Sequence, residues 1–182
     1  MSALYRARRK WAMAEGERVS AAMAHHRIER RLDTDAVVKE LGIELDRAML
    51  DSDVSGMLVR VGHRAAIVVN AEHHHRRQTF SVAHELGHYY LHDAARSFIS
   101  KVYRRDSVSS KGIDPEEIEA NHFAAALLMP ASAMPDRVHP GNVTSLAHEF
   151  GVSAEACSNR ARTLGRWTDD DPEDSDPYAY PF

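Results

Sequence analysis

The stretch Val82-Ala83-His84-Glu85-Leu86-Gly87-His88 constrains this chain more than any other. It contains His-Glu-x-x-His, and on a helix two residues four apart lie one turn apart on a shared face. Two imidazoles so placed can both reach one Zn²⁺ at the ~2.0–2.1 Å their nitrogens need. Glu85 follows the first of them, so it flanks the metal without having to bind it. A carboxylate there can take a proton from an activated water and pass it to a leaving amine. Thr79, Phe80, Val82, Ala83, Leu86, Gly87, Tyr90 and Leu91 make the run apolar and of helical length, which predicts a buried helix. A buried imidazole needs a partner, and a metal is one. The competing reading is a His pair that only decorates a helix, as short patterns do by chance. The pattern predicts zinc-peptidase chemistry, with His84 and His88 as ligands and Glu85 as base.

A catalytic zinc site takes three protein ligands and leaves the fourth position to water, so one more ligand is needed. Asp114-Pro115 opens a helix, an N-cap residue followed by proline at the first helical position. That helix offers Glu116, Glu117 and Glu119. Glu117 shares a face with Asn121, four residues on, and an Asn there can orient a ligating His. Glu117 is also the third residue after Asp114, where a capping-box Glu sits, and first-turn acids suit the helix dipole. On the residues alone, Glu117 and Glu119 remain equal candidates.

Composition narrows the class. The 182 residues suit one domain, and 43% hydrophobic with 27% charged residues describes an ordinary globular chain. No apolar run approaches the ~20 residues of a membrane span. The basic start (Arg6, Arg8, Arg9, Lys10) has no signal-peptide core, which predicts a cytoplasmic protein. The single Cys157 excludes a disulfide framework and a thiolate zinc site. A net charge of −4 gives no electrostatic argument for nucleic acid. His73-His74-His75 reads as a surface cluster.

In chain order, residues 4–32 read as an N-terminal helical segment that Gly16 breaks or kinks. A second helix, opened by Asp33 or Thr34 and closed by Gly42, puts Val37, Val38 and Leu41 on one face. Residues 46–55 are polar and read as a loop. Met57, Val59 and Val61 alternate, Gly62-His63-Arg64 interrupts, and residues 65–69 form a second β-rich run up to Asn70; this is a hairpin signal. The motif helix is predicted from Gln78 or Thr79. A third strand is predicted at 98–103 and a Ser-rich loop at 106–112. The helix opened by Asp114 runs to Pro130. Helices over 144–150 and 154–164, joined by Gly151-Val152-Ser153, form a C-terminal hairpin. The acidic tail 168–182 reads as disordered. The fold class is α+β, mostly helical with a small three-stranded sheet. The divisions are 1–32, a catalytic domain 33–142, the hairpin 143–167 and the tail.

Two linked motifs carry a family resemblance. His84-Glu85-Leu86-Gly87-His88 with Tyr90-Leu91-His92 is followed by Glu117-x-x-Ala120-Asn121-x-Phe123-Ala124 and Leu127-Leu128-Met129-Pro130. Ile67-Val68-Val69-Asn70 and Arg77-x-x-Phe80 precede them. Over residues 33–165 the chain resembles the ImmA/IrrE family of metallopeptidases. The resemblance implies Glu117, from the pattern Glu-x-x-Ala-Asn, as the third metal ligand beside His84 and His88. It also implies a zincin-like (thermolysin-like) fold, Zn²⁺ as cofactor with Mn²⁺ a substitute in vitro, and a substrate strand added to the sheet edge above the metal. The implied substrate is a helix-turn-helix repressor, cut to derepress stress, DNA-damage or mobile-element genes. The alternative is a toxin or non-hydrolytic regulator that binds such a protein or DNA. Residues 1–32 are too short for a DNA-binding domain, which favours a separate repressor partner.

The C-terminal hairpin has helix-turn-helix grammar, and Arg160, Arg162 and Arg166 are placed to meet phosphates. A hairpin packed on the catalytic body is the reading favoured here, given the negative net charge. A second oxyanion donor is expected beside the metal. Tyr89, Tyr90, Tyr103, His122 and His139 are the candidates, and the sequence does not choose among them.

Overall fold

The computed structural model describes residues 3–92, 98–104 and 114–169. The loop predicted at 106–112 and the tail from 170 on lie outside the described residues. The architecture is α+β. Helix α1 (Ala3–Ala22) is followed by a 3₁₀ turn (Ala24–His26), the short strands β1 (Arg27–Ile28) and β2 (Arg31–Leu32), and α2 (Thr34–Glu40). Strands β3 (Glu44–Ala48), β4 (Val54–Val61) and β5 (Arg64–Asn70) precede the motif helix α3 (His75–Leu91). Then come β6 (Phe98–Arg104), α4 (Pro115–Leu128), α5 (Pro140–Phe150) and α6 (Ala154–Thr163). Among the described residues no helix is long and apolar enough to cross a membrane.

The principal sheet has four strands, ordered β3-β5-β4-β6, where the sequence predicts three. The additional strand is β3, whose last three of five residues lie in the stretch read as a polar loop. It pairs parallel to β5, from Glu44↔Ala66 to Ala48↔Asn70. Its sequence, Glu-Leu-Asp-Arg-Ala, lacks an apolar run because it is an edge, and edge strands carry charge. Arg47 uses that position to pair with Asp35 at 2.8 Å and to donate to Gln78 Oε1 at 3.0 Å.

The N-terminal helix ends at Ala22 rather than near residue 32. The antiparallel β1–β2 ribbon replaces its last turns and reverses at Glu29, which has φ 56. A tertiary bond accounts for the ribbon. From β1, the Arg27 guanidinium donates to the carbonyls of Leu127 at 2.5 Å and Leu128 at 3.2 Å, which end α4 without helical partners. Gly16 does not break α1. A Cβ there would stand 2.5 Å from the Phe123 carbonyl oxygen and 2.9 Å from the Ala126 Cβ, so the glycine lets α1 press onto α4.

Helix α3 begins at His75, three residues before the predicted start, because His74 caps it by accepting the Arg76 N–H at 3.2 Å. Helix α4 starts as its sequence predicts, with Asp114 accepting the Glu116 N–H at 2.9 Å and Pro115 following. It lies between α1 and α3, and Phe123, Leu127 and Leu128 are fully buried there with Val19, Ile67 and Leu86. Helices α5 and α6 turn at Gly151 (φ 72), with Ser153 capping α6, and bury Phe150, Val152, Cys157 and Ala161 in the same core. Buried Asn70 ends β5 and ties down the approach to β4. Its amide donates to the carbonyls of Leu50, Asp51 and Val54 at 2.9–3.3 Å.

Candidate metal centre

The periodicity of α3 places His84 and His88 on one face, and the crossing of α4 sets Glu117 against them. His84 Nε2 and His88 Nε2 are 3.1 Å apart. Glu117 Oε2 lies 3.3 Å from His84 Nε2, and Glu117 Oε1 lies 3.2 Å from His88 Nε2. Four-coordinate zinc with arms of ~2.0–2.1 Å puts its ligand atoms about 3.3 Å apart. The imidazole nitrogens lie at about that spacing from each other and each from one carboxylate oxygen, Oε2 for His84 and Oε1 for His88, so the three residues could hold a metal ion. Two nitrogens and a carboxylate oxygen with one position open are also the donor set of a catalytic zinc centre.

Helix α4 also supplies the orienting group. Asn121 Oδ1 lies 3.0 Å from His84 Nδ1, so Nδ1–H donates to the amide oxygen and Nε2 is left to the metal. Glu119 does not face this centre. It points to the other side of the helix, where it meets His92 at 3.3 Å and forms an ion pair with Arg8. Glu116 is a first-turn acid and is not in the cluster.

Burial and charge set the protonation of the group. Burial would push the His84 imidazole down, but the Glu117 and Glu85 carboxylates together with Asn121 outweigh it and raise it. Burial lowers His88 to about 4, despite its bond to Glu117. Burial works to raise Glu117, and the hydrogen bonds from His84 and His88 overcome it and hold the carboxyl at about 2. A ligand carboxylate that stays ionised beside a neutral imidazole suits metal binding, which requires deprotonated ligands. Glu85 is 1% exposed, and burial lifts its carboxyl to about 7, moderated by His84 and by the Leu58 backbone N–H. A base with that affinity for protons is matched to proton transfer near neutrality.

His84, Glu85, Glu117 and Asn121 open onto a cavity of about 1050 Å³. Ser55 and Gly56 of β4 form one wall, and Ser153, Ala156, Asn159 and Thr163 of α6 and its cap form another. Strand β4 is interior to the sheet rather than an edge, because β6 pairs along it. The β4–β6 register shifts between Val54 and Met57, which is where Ser55 and Gly56 meet the cavity. Of the proposed oxyanion donors, His122 lines the cavity. Burial, with Arg9 and Arg160 nearby, lowers it to about 4, so it is a neutral donor near pH 7. Tyr90 stacks on Phe123, Tyr89 lies under Arg60, and His139 caps α5. The Tyr103 side chain lies outside what the structure describes.

A model of the M78 peptidases, the IrrE N-terminal-like domain, matches residues 38–162. The chain belongs to this family. The match spans both motif helices and ends in α6, so all three clustered donors fall inside it. Membership makes the chain a metallopeptidase-type hydrolase, and the His84–His88–Glu117 cluster is where such a protein can hold its metal. No curated protein matches the chain. Sequence reasoning missed His92 and Arg8 as neighbours of the centre and offered Glu119 only as a candidate ligand, whereas it pairs with those two residues. His92 is one helical turn beyond His88, and that spacing was the available signal.

One other group of potential ligands occurs among the described residues. His25 and His26 both meet Glu40 Oε2, at 2.7 and 2.6 Å, on an exposed surface. Those hydrogen bonds satisfy the three groups without an ion.

Proposed function

We propose that this chain is a zinc-dependent endopeptidase of zincin-like plan, and that its substrate is a helix-turn-helix repressor. One observation carries the hydrolytic reading. Glu85 is buried beside three side chains that could hold a metal ion and still opens onto a cavity large enough for a peptide segment. A purely structural ion would have no use for a carboxylate in that place.

His84, His88 and Glu117 hold the ion, and Asn121 fixes the His84 ring. When bound, the ion supplies Lewis-acid activation of a water and of the scissile carbonyl. Glu85 accepts the proton of that water as it attacks and delivers it to the departing amine nitrogen. His122, the proposed donor that lines the cavity, would donate its N–H to the carbonyl oxygen as charge grows there. The substrate main chain would lie along Ser55 and Gly56, which line the cavity where the β4–β6 register shifts. The choice of a repressor as substrate rests on the family resemblance.

The test is cleavage of the helix-turn-helix protein encoded nearest this chain, with Zn²⁺ or Mn²⁺ added, by wild type and Glu85→Gln. One discrete cut by wild type alone supports the proposal. A stable complex with no cut overturns hydrolysis in favour of a binding regulator.

A further inference from the structure

We infer that His92, Glu119 and Arg8 form a hydrogen-bonded relay that fixes the tautomer of His88 and strengthens its hold on the metal. The inference rests on the reading of His84, His88 and Glu117 as metal ligands.

The proton positions follow from the geometry. His88 turns Nε2 toward His84 and Glu117, and with that nitrogen given to the metal its own proton sits on Nδ1. That Nδ1 lies 2.8 Å from His92 Nδ1. Two N–H groups cannot face each other at this distance, so His92 Nδ1 accepts and the His92 proton sits on Nε2. His92 Nε2 in turn points at Glu119 Oε2, 3.3 Å away, which accepts it. The reversed tautomer of His92 would set donor against donor at one end and lone pair against carboxylate at the other. A doubly protonated His92 would repeat the first clash. One arrangement satisfies every bond.

The chain ends in charge. Glu119 is 2% exposed, and a carboxylate so buried needs a cation. Arg8 of α1 supplies it, with Nη2 3.1 Å from Oε2 and Nε against Oε1. A carboxylate behind a ligating His orients the ring and raises its basicity. Here an imidazole is interposed, and the counter-charge comes from a helix outside the residues 38–162 that the family model matches. The two ligand His are therefore backed differently, His84 by a neutral amide and His88 by an ion pair through His92. His92, Glu119 and Arg8 are positioning residues: none belongs to the ligand cluster.

The experiment uses the full chain and Zn²⁺ alone, with affinity read by competition against a chelator. His92→Phe, and the pair Arg8→Met with Glu119→Gln, which leaves no lone buried charge, are expected to weaken zinc binding by about 10–100-fold. Cooperative thermal melting of the metal-free variants separates this from misfolding. In zinc-loaded wild type, ¹⁵N-imidazole NMR is expected to find protons on His88 Nδ1 and His92 Nε2, which a merely structural role for these residues would not require. Affinity within about twofold of wild type in folded variants, or a proton on His92 Nδ1, overturns the relay. If the variants do not fold, the NMR measurement on wild type decides. Failure of wild type itself to bind one zinc overturns the metal reading beneath it.

Discussion

A Cβ placed on Gly87 would stand 2.9 Å from the Ala120 Cα and 3.1 Å from the Ala120 carbonyl oxygen. Helices α3 and α4 thus touch backbone to backbone between His84 and His88 of one and Glu117 and Asn121 of the other. This contact sets the depth of the metal centre. Gly87→Ala gains about 1 kcal/mol of helix propensity and costs about 1–3 kcal/mol in forced separation. Because the clash is with backbone, the cost wins. Urea unfolding is expected to show net destabilisation of up to about 2 kcal/mol, and zinc titration a weaker site, since Glu117 and Asn121 move away with α4.

Glu85→Gln is expected to keep the metal and lose at least about 10²–10⁴-fold in turnover, the usual worth of a general base. Zinc content by mass spectrometry and single-turnover cleavage check the two halves. Loss of metal in this variant would mean that Glu85 helps to hold the ion.

The same residue governs the pH dependence of the metal-free protein. Its carboxyl sits at about 7 in the fold against 4.5 outside it. The folded state then binds more protons, so this group's contribution falls as pH rises from about 4.5 to about 7. His88 and His122, both lowered to about 4, push the total the other way over most of this window. The expected decline is therefore in the difference in unfolding free energy between wild type and Glu85→Gln apoproteins, measured in denaturant.

Acid acts through His88 and Glu117 with the opposite sign. His88 is lowered from 6.5 to about 4 and Glu117 from 4.5 to about 2. In each case the unfolded chain takes protons first, so stability is lost as pH falls, between 6.5 and 4 for His88 and between 4.5 and 2 for Glu117. Glu85 opposes His88 over part of this range, so the acid loss is measured in the Glu85→Gln background. Protons also compete with the metal for His88, and equilibrium dialysis is expected to show release as pH drops through that window.

Arg160 is buried, donates to the Met129 carbonyl at 2.9 Å and pairs with Glu17 of α1. Arg166 spends its guanidinium on the Ala131 and Met134 carbonyls, and Arg162 stacks on Trp167 at 4.3 Å. Arg160→Ala is expected to cost about 2–3 kcal/mol in thermal or urea unfolding, less than a fully buried pair because Glu17 is partly exposed. A change below about 0.5 kcal/mol would mean that this arginine is available for an outside partner.

Much of this protein was legible in its sequence because the signals are local. The four-residue spacing of His84 and His88 follows from helical periodicity, and Asp114-Pro115 marks the start of α4 through capping chemistry. The alternation around Gly62-His63 marks the β4–β5 hairpin in the same way. Strand β3 and the β1–β2 ribbon were not legible. Polar edge strands carry no apolar period, and the ribbon is held by Arg27 reaching α4 a hundred residues away.

The third candidate ligand shows the division most clearly. Glu117 and Glu119 are two residues apart, so they leave α4 on roughly opposite sides. By itself the sequence determined the helix, its acids and the His pair that needed one of them. Only the close packing of α3 and α1 against α4, permitted by Gly87 and Gly16, decided the rest. It sends Glu117 to the His pair and Glu119 to His92 and Arg8. Side-chain direction is set by local geometry, but what a side chain meets is set by packing.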